Sequence, residues 1–248
     1  MTPAHDMPGR VLGEAAEDFQ QAADVDDLWA RLHRHLAGFG VTALVYGAEA
    51  FADTGRTHDI MLTSFGGAYM DAKMSGGLYW CDEFVRAARV ETAPLLWSDT
   101  SRLDGISPAG KRSLDIDWAF GMTTGVTLPM RFNNGLGVSA LGLCAAHLSW
   151  AEFDRIWWEN SRAISGIVHA FDVRLREGCV RDALPLAPRE RECLLWLAVG
   201  LRPQQIAHRL GTHVKTVEKQ IESARRKLNA ATTIQAVSTA LAYGLITL

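Results

Sequence analysis

Apolar residues recur at three- and four-residue intervals through the C-terminal quarter of the chain, and each run is closed by residues that stop a helix. From Pro188, the residues Cys193, Leu194, Leu197, Ala198 and Val199 share a helical face and Gly200 follows them; Pro188 suits a first helical position, where no backbone N–H is needed. Pro203 opens a short second helix with Ile206, Ala207 and Leu210 on one face, and Gly211 supplies a residue able to take the left-handed conformation that ends it. After the turn Gly211-Thr212-His213, a third helix from Val214 to Leu228 turns Val217, Ile221 and Leu228 inward with Ala224 beside them. Its outer arc holds Lys215, Thr216, Glu218, Lys219, Glu222, Arg225 and Arg226. Two helices beneath a third that exposes polar and basic side chains have the geometry to enter a DNA major groove. A fourth pattern, Thr233 to Tyr243, sets Ile234, Val237, Ala240 and Leu241 on one side and ends at Gly244.

The preceding residues alternate helical and strand patterns. Residues 1 to about 13, rich in Pro, Gly and Met, read as a loose tail, and a helical region follows with Phe19, Leu28, Leu32 and Leu36. Val41 to Tyr46 reads as a strand closed by Gly47, and Ile60 to Phe65 as a second. Short helices are expected over Ala68 to Met74, broken by Ser75-Gly76-Gly77, and over Asp82 to Val90 and Pro108 to Phe120. Gly125 to Phe132 and Gly137 to His147, joined by Asn133-Asn134-Gly135, predict a hairpin, because Asn-Gly accepts the positive φ angles of a tight turn. Ser149 with Glu152 three residues on fits a capping box at the start of a long helix, reaching about Arg176, whose buried stripe is Phe153, Ile156, Trp157, Ile164, Ile167, Val168 and Phe171.

These elements predict an α+β chain: an N-terminal α/β/α sandwich with a central antiparallel sheet, residues 1–176, then a linker, 177–185, then an all-α helix-turn-helix domain, 186–248. A phospho-receiver domain would need alternating parallel strand and helix units with acidic residues at strand ends, whereas Asp26-Asp27 lies in a helical pattern.

Length and composition agree with two modest globular domains: 248 residues, 48% hydrophobic. The net charge of −3 hides an asymmetry, since from Pro185 onward nine Lys or Arg stand against four Glu, net +5, leaving −8 on residues 1–184. Basic charge is thus concentrated where DNA would be met, in an amount that points to dimerisation for useful affinity. Cys81, Cys144, Cys179 and Cys193 lack the paired spacing of a zinc site or a disulfide framework, so reduced thiols and no metal or cofactor are expected. No basic segment leads into an apolar run at the N-terminus, and the longest apolar stretch, Leu136 to Leu148, is too short to span a bilayer. The expectation is a soluble, cytoplasmic protein with no membrane partner.

The C-terminal motifs carry a resemblance. Arg189-Glu190-Arg191-Glu192-Cys193-Leu194, Ile206-Ala207, Thr216-Val217 and Ala224-Arg225-Arg226-Lys227-Leu228 closely resemble the DNA-binding domain of the LuxR/GerE family over the last quarter of the chain. The N-terminal part resembles that family's autoinducer-binding domain, on Asp82, the Pro94-Leu95-Leu96-Trp97 run and the Gly125-Val126-Thr127-Leu128-Pro129 strand. The resemblance implies a quorum-sensing transcriptional regulator that binds an N-acyl homoserine lactone. Asp82 would accept the ligand's amide N–H and Trp97 would pack on its lactone ring. It also implies a homodimer on an inverted repeat of double-stranded DNA, with RNA polymerase as a further candidate partner. Read without the family, Asp82 is better explained as a helix cap and Trp97 as core.

Several positions depart from the family pattern. Phe65 stands where a Tyr usually donates to the acyl carbonyl, Tyr69 where a Trp donates to the lactone carbonyl, and Lys73 and Glu83 where Tyr and Pro are typical. Phe65 has no donor, a loss of roughly 0.5–1.5 kcal/mol if nothing else pairs with that carbonyl. Val45, Phe84, Met122 and Thr127 are candidates for the remaining pocket wall. Two alternatives therefore stay open: a family member that answers a different small molecule or none, and one that acts only by pairing with another regulator. An enzyme is the competing class, and no nucleophile elbow, metalloprotease helix, Walker loop or dinucleotide fingerprint is present; His58-Asp59 and Ser139 form no recognisable triad.

Overall fold

A computed structural model of the chain describes residues 7–49, 60–132, 135, 137–176 and 184–248. Contacts divide it into two units, Met1–Val173 and Arg174–Leu248. Asn133 and Asn134 of the expected hairpin turn, most of the expected linker, His58-Asp59 and Cys179 lie outside the described residues.

The N-terminal unit is built on strands β1 (Ala43–Glu49), β2 (Ile60–Thr63), β3 (Leu95–Leu96), β4 (Gly125–Phe132) and β5 (Gly137–Cys144). They form one antiparallel sheet in the order β2-β1-β5-β4-β3. β1 runs on through Gly47 to Glu49, past the expected stop, because its whole length pairs with β5, from Ala43 against Cys144 to Glu49 against Val138. Side chains alternate between the two faces. On one face Tyr46 and Ser139 both donate to Asp172 Oδ1 at 2.7 Å. On the other, Val45, Gly47, Thr127, Val138, Ala140 and Gly142 border a cavity.

Helices α1 (Met7–Gln20), α2 (Val25–Ala37) and α6 (Trp150–Arg174) cover the Tyr46 face. The expected loose tail is instead helical from Met7. Leu12, Ala15 and Phe19 recur at helical spacing, Ala15 and Phe19 are fully buried, and Leu12 lies against Gly166 of α6. Pro8 falls in the first turn, where its missing N–H costs nothing. The single helical region expected next is split, because Asp24 caps α2 by accepting from the Asp27 amide at 2.8 Å. Phe19, Trp29 and Tyr46 all meet Phe171 of α6. The start of α6 has the expected capping box: Glu152 accepts from the Ser149 amide at 2.9 Å and its hydroxyl at 2.7 Å.

Helices α3 (Gly66–Met74), α4 (Glu83–Val90) and α5 (Pro108–Ala119) cover the cavity face. A 3-10 segment, Ser75–Cys81, joins α3 to α4, and within it Gly76 and Gly77 sit at φ 58° and 72°, a left-handed pair that turns the chain so that Tyr79 points inward.

The C-terminal unit packs α7 (Pro188–Ala198), α8 (Pro203–Arg209), α9 (Val214–Lys227) and α10 (Thr233–Ala242). Its core is Cys193, Ile206, Ala207, Val217 and Ile221, with Trp196, Leu197, Leu201, Leu210 and Val214 around it. Gly200 and Gly211 take the left-handed conformations expected at the two turns, φ 99° and 60°. Among the described residues no helix is long and apolar enough to cross a membrane.

Candidate functional site

The cavity lies between the sheet and the α3, α4 and α5 layer, with a volume of about 190 Å³. Seven of the eight residues proposed for it from sequence border it: Val45, Tyr69, Asp82, Phe84, Trp97, Met122 and Thr127. Phe65 does not, since it sits at the start of α3 and packs on Tyr69 with ring centroids 5.2 Å apart. The Trp97 indole lies over the sheet because small residues leave room for it. A Cβ on Gly125 would stand 2.0 Å from the Leu143 carbonyl oxygen and 2.8 Å from the indole, and one on Gly142 would be 3.5 Å from the ring. Trp97 Nε1 donates to Thr127 Oγ1 at 3.0 Å.

The polar floor of the cavity is an ion cluster centred on Lys73, which is fully buried. Its ammonium donates to Asp82 Oδ2 at 2.6 Å, to Ser113 Oγ at 2.7 Å and to Asp117 Oδ2 at 2.9 Å. Asp82 also caps α4, its Oδ1 accepting from the amides of Phe84 at 2.8 Å and Val85 at 3.2 Å. Tyr69 spends its hydroxyl proton on Asp117 Oδ1 at 2.9 Å. The donor expected to reach a ligand carbonyl is therefore engaged inside the protein.

Burial and charge act differently on the three ionisable groups. Burial works against the Asp82 anion, but the Lys73 ammonium and the hydrogen bonds that Asp82 accepts outweigh it and hold that carboxyl below the ordinary range. Burial, and then the neighbouring Asp82 charge, push Asp117 up to about 7. Burial also opposes the Lys73 cation, yet the two carboxylates more than offset it and raise its pKa, so Lys73 stays charged. One ammonium thus faces two carboxyls, and the less stabilised of them is Asp117.

Ser113 and Asp117 were not among the residues singled out from the sequence, and Lys73 entered only as a departure from the family pattern. A signal was present in α5, where the buried positions are Gly110, Ser113 and Asp117, an inward stripe at helical spacing with no large apolar residue in it. Arg89, which also borders the cavity, donates its Nη2 to the nearly buried Glu49 at 2.7 and 2.8 Å, with the guanidinium 4.6 Å over the Trp80 ring.

In the C-terminal unit, α9 presents the expected arc. Lys215, Thr216, Glu218, Lys219, Glu222 and Arg226 are exposed. Arg225 is half-buried, donating to Glu222 at 2.7 Å and to the Ala231 carbonyl, so it ties α9 to the turn before α10. Glu190, nearly buried, locks the unit: it accepts from the Ala187 amide at 2.7 Å, starting α7, and from Lys227 at 2.9 Å, ending α9. Burial disfavours the Glu190 anion, but those partners outweigh it and lower its pKa. The stripe expected on α10 divides, with Ala240 packing inward beside Ala236 while Ile234, 80% exposed, and Leu241 face out.

Comparison with known proteins places both units. The autoinducer binding domain family matches residues 24–175, and the family of bacterial regulatory proteins, luxR family, matches residues 184–240. The chain is 23% identical over 242 residues to the transcriptional activator protein AhyR of Aeromonas hydrophila, covering 95% of this chain and 92% of that one. It is 26% identical over 235 residues to the quorum sensing-dependent transcriptional regulator RpaR of Rhodopseudomonas palustris, covering 93% of each. Its fold is shared with SdiA of Escherichia coli, at a TM-score of 0.54 and 18% identity over 97% of this chain and 99% of that one.

Proposed function

Given that the chain belongs to the LuxR family of bacterial transcriptional regulators, with an autoinducer-binding domain ahead of a DNA-binding helix-turn-helix, we propose that it is a quorum-sensing-type regulator controlled by a small molecule held in its N-terminal cavity. The observation that carries this reading is the cavity itself: largely apolar and aromatic walls with a few convergent polar groups, on one face of a sheet. Asp82 and Trp97 border it, which supports an N-acyl homoserine lactone as the ligand class.

A second reading, a different head group, is favoured by one observation. Asp82 accepts from two amides, Lys73 and, at 3.5 Å, Ser113 Oγ. A carboxylate offers about four lone-pair positions, so a ligand amide could bind Asp82 only by displacing a protein donor.

On DNA, Lys215, Thr216, Arg226 and the α9 dipole would hold phosphates, while Lys219, Glu218 and Glu222 reach base edges. The exposed Ile234 and Leu241 of α10 offer an apolar surface for pairing two copies on an inverted repeat, with half-sites about 10 base pairs apart or a multiple of that. Selection of binding sites from random duplexes, together with mass spectrometry of small molecules released on denaturation, tests the proposal. An inverted repeat and a reproducible released compound are expected. Failure to enrich any DNA sequence would leave a protein that acts by pairing alone.

A further inference from the structure

We propose that Asp117, and not Asp82, is the acceptor through which the cavity reads its ligand, and that the ligand carries a donor-rich head group, an amine or hydroxyl, on an apolar chain. This deepens the small-molecule reading above and rests on it.

The hydrogen-bonding capacity of the floor leads there. Lys73 has three protons, and Asp82, Ser113 and Asp117 take all three. Asp82 is saturated: Phe84 and Val85 fill Oδ1, and Lys73 and Ser113 fill Oδ2. Tyr69 has spent its proton on Asp117, and Trp97 has spent its own on Thr127. Asp117 accepts from Tyr69 and from Lys73, whose Nζ lies 2.8 Å from Oδ1 and 2.9 Å from Oδ2, and it also meets the Asp82 carboxyl, a contact between two acceptors that only a proton can satisfy. At least one of its lone-pair positions is left, and it borders the cavity. With two carboxyls to one ammonium, the floor is short of donors. A basic or hydroxylated head group supplies what is lacking, whereas a homoserine lactone head group brings one neutral amide donor and otherwise acceptors. The burden on the Asp117 anion points the same way, since a ligand donor is what would relieve it. In this reading Lys73 is a positioning residue that fixes both carboxyls.

The test uses the full chain and three probes with the same alkyl length: octylamine, octanoate and N-octanoyl homoserine lactone. Binding is measured by calorimetry and checked by thermal unfolding. Octylamine is expected to bind at least about tenfold more tightly than octanoate, the size of one charge-assisted hydrogen bond, and to raise the unfolding temperature most. Asp117→Asn should erase that preference, with octylamine binding weakened. If Asp117→Asn fails to fold, the ranking of the three probes on the unaltered chain decides alone. Lactone binding as tight as octylamine binding, or an octylamine preference that survives in Asp117→Asn, would overturn the role of Asp117 while keeping the sensor. Absence of binding by all three probes would remove the sensor reading, and this proposal with it.

Discussion

The cavity floor and the recognition helix both concentrate charge, and they use it in opposite ways. On α9, Lys215, Glu218, Lys219 and Arg226 stand in solvent, where they are free to meet a phosphate or a base edge. In the cavity, Lys73, Asp82 and Asp117 are buried and paired with one another, so their charge is structural first. Exposed charge is cheap to keep and cheap to lose. Buried charge is held only while every partner is present.

The sharpest way to break this comparison is Lys73→Met, which removes the one cation between two buried carboxyls. It should cost about 3–5 kcal/mol in unfolding of the N-terminal unit, read by denaturant titration, while leaving the C-terminal transition in place. A loss below about 1 kcal/mol would mean the cluster is solvated and not a sealed floor. Glu190→Ala is the matching cut in the DNA-binding unit. It strips an amide and an ammonium of their buried partner and should cost about 1.5–3 kcal/mol in that unit only. Lys219→Ala, by contrast, should leave stability within about 0.5 kcal/mol and weaken the best DNA site by about 1–3 kcal/mol, with relaxed preference at one or two base pairs in a selection experiment. Unchanged base preference would take Lys219 out of base reading.

A smaller effect sharpens the contrast through pH. Asp117 has its folded pKa raised to about 7, above the unfolded value near 4, so between those values the folded state holds a proton that the unfolded state has released. Stability from this group is therefore lost as pH rises toward 7. Asp82, held low, contributes stability that disappears only as pH falls below about 4. Lys73, Tyr69, Ser113 and Asp82 are the groups that face Asp117, and of these none changes charge between pH 5 and 8. His33, whose pKa burial lowers, acts in the opposite direction near its ordinary value. The Asp117 part is the difference between the chain and Asp117→Asn in melts across that window, and equal slopes would contradict it.

What could be read from sequence follows the same division. The recognition helix was legible because Val217, Ile221 and Ala224 face inward at a period one helix imposes, leaving the polar residues outside. The strands were legible in outline for the same reason, although β1 outran Gly47 because pairing with β5 overrode a local stop. The floor of the cavity was not. Lys73 reaches Asp82 across 9 residues, and Asp117 across 44, through a left-handed glycine pair that no periodicity describes. Tyr69 and Thr127 both border the cavity, but the Tyr69 hydroxyl donates to Asp117 and Thr127 Oγ1 accepts from Trp97, which spacing cannot reveal. Arg225 is a similar case, drawn from the outer arc by Glu222 and the Ala231 carbonyl.

The central claim is that occupancy of the cavity controls DNA binding, and it is tested most directly by titrating the full chain onto its selected inverted repeat with and without the compound that mass spectrometry finds released from it. Saturating the cavity should change the dissociation constant for DNA by about 5-fold or more, a coupling of at least about 1 kcal/mol, and the DNA should change affinity for the compound by the same factor. A dissociation constant that stays the same while calorimetry shows the cavity filled would contradict the account.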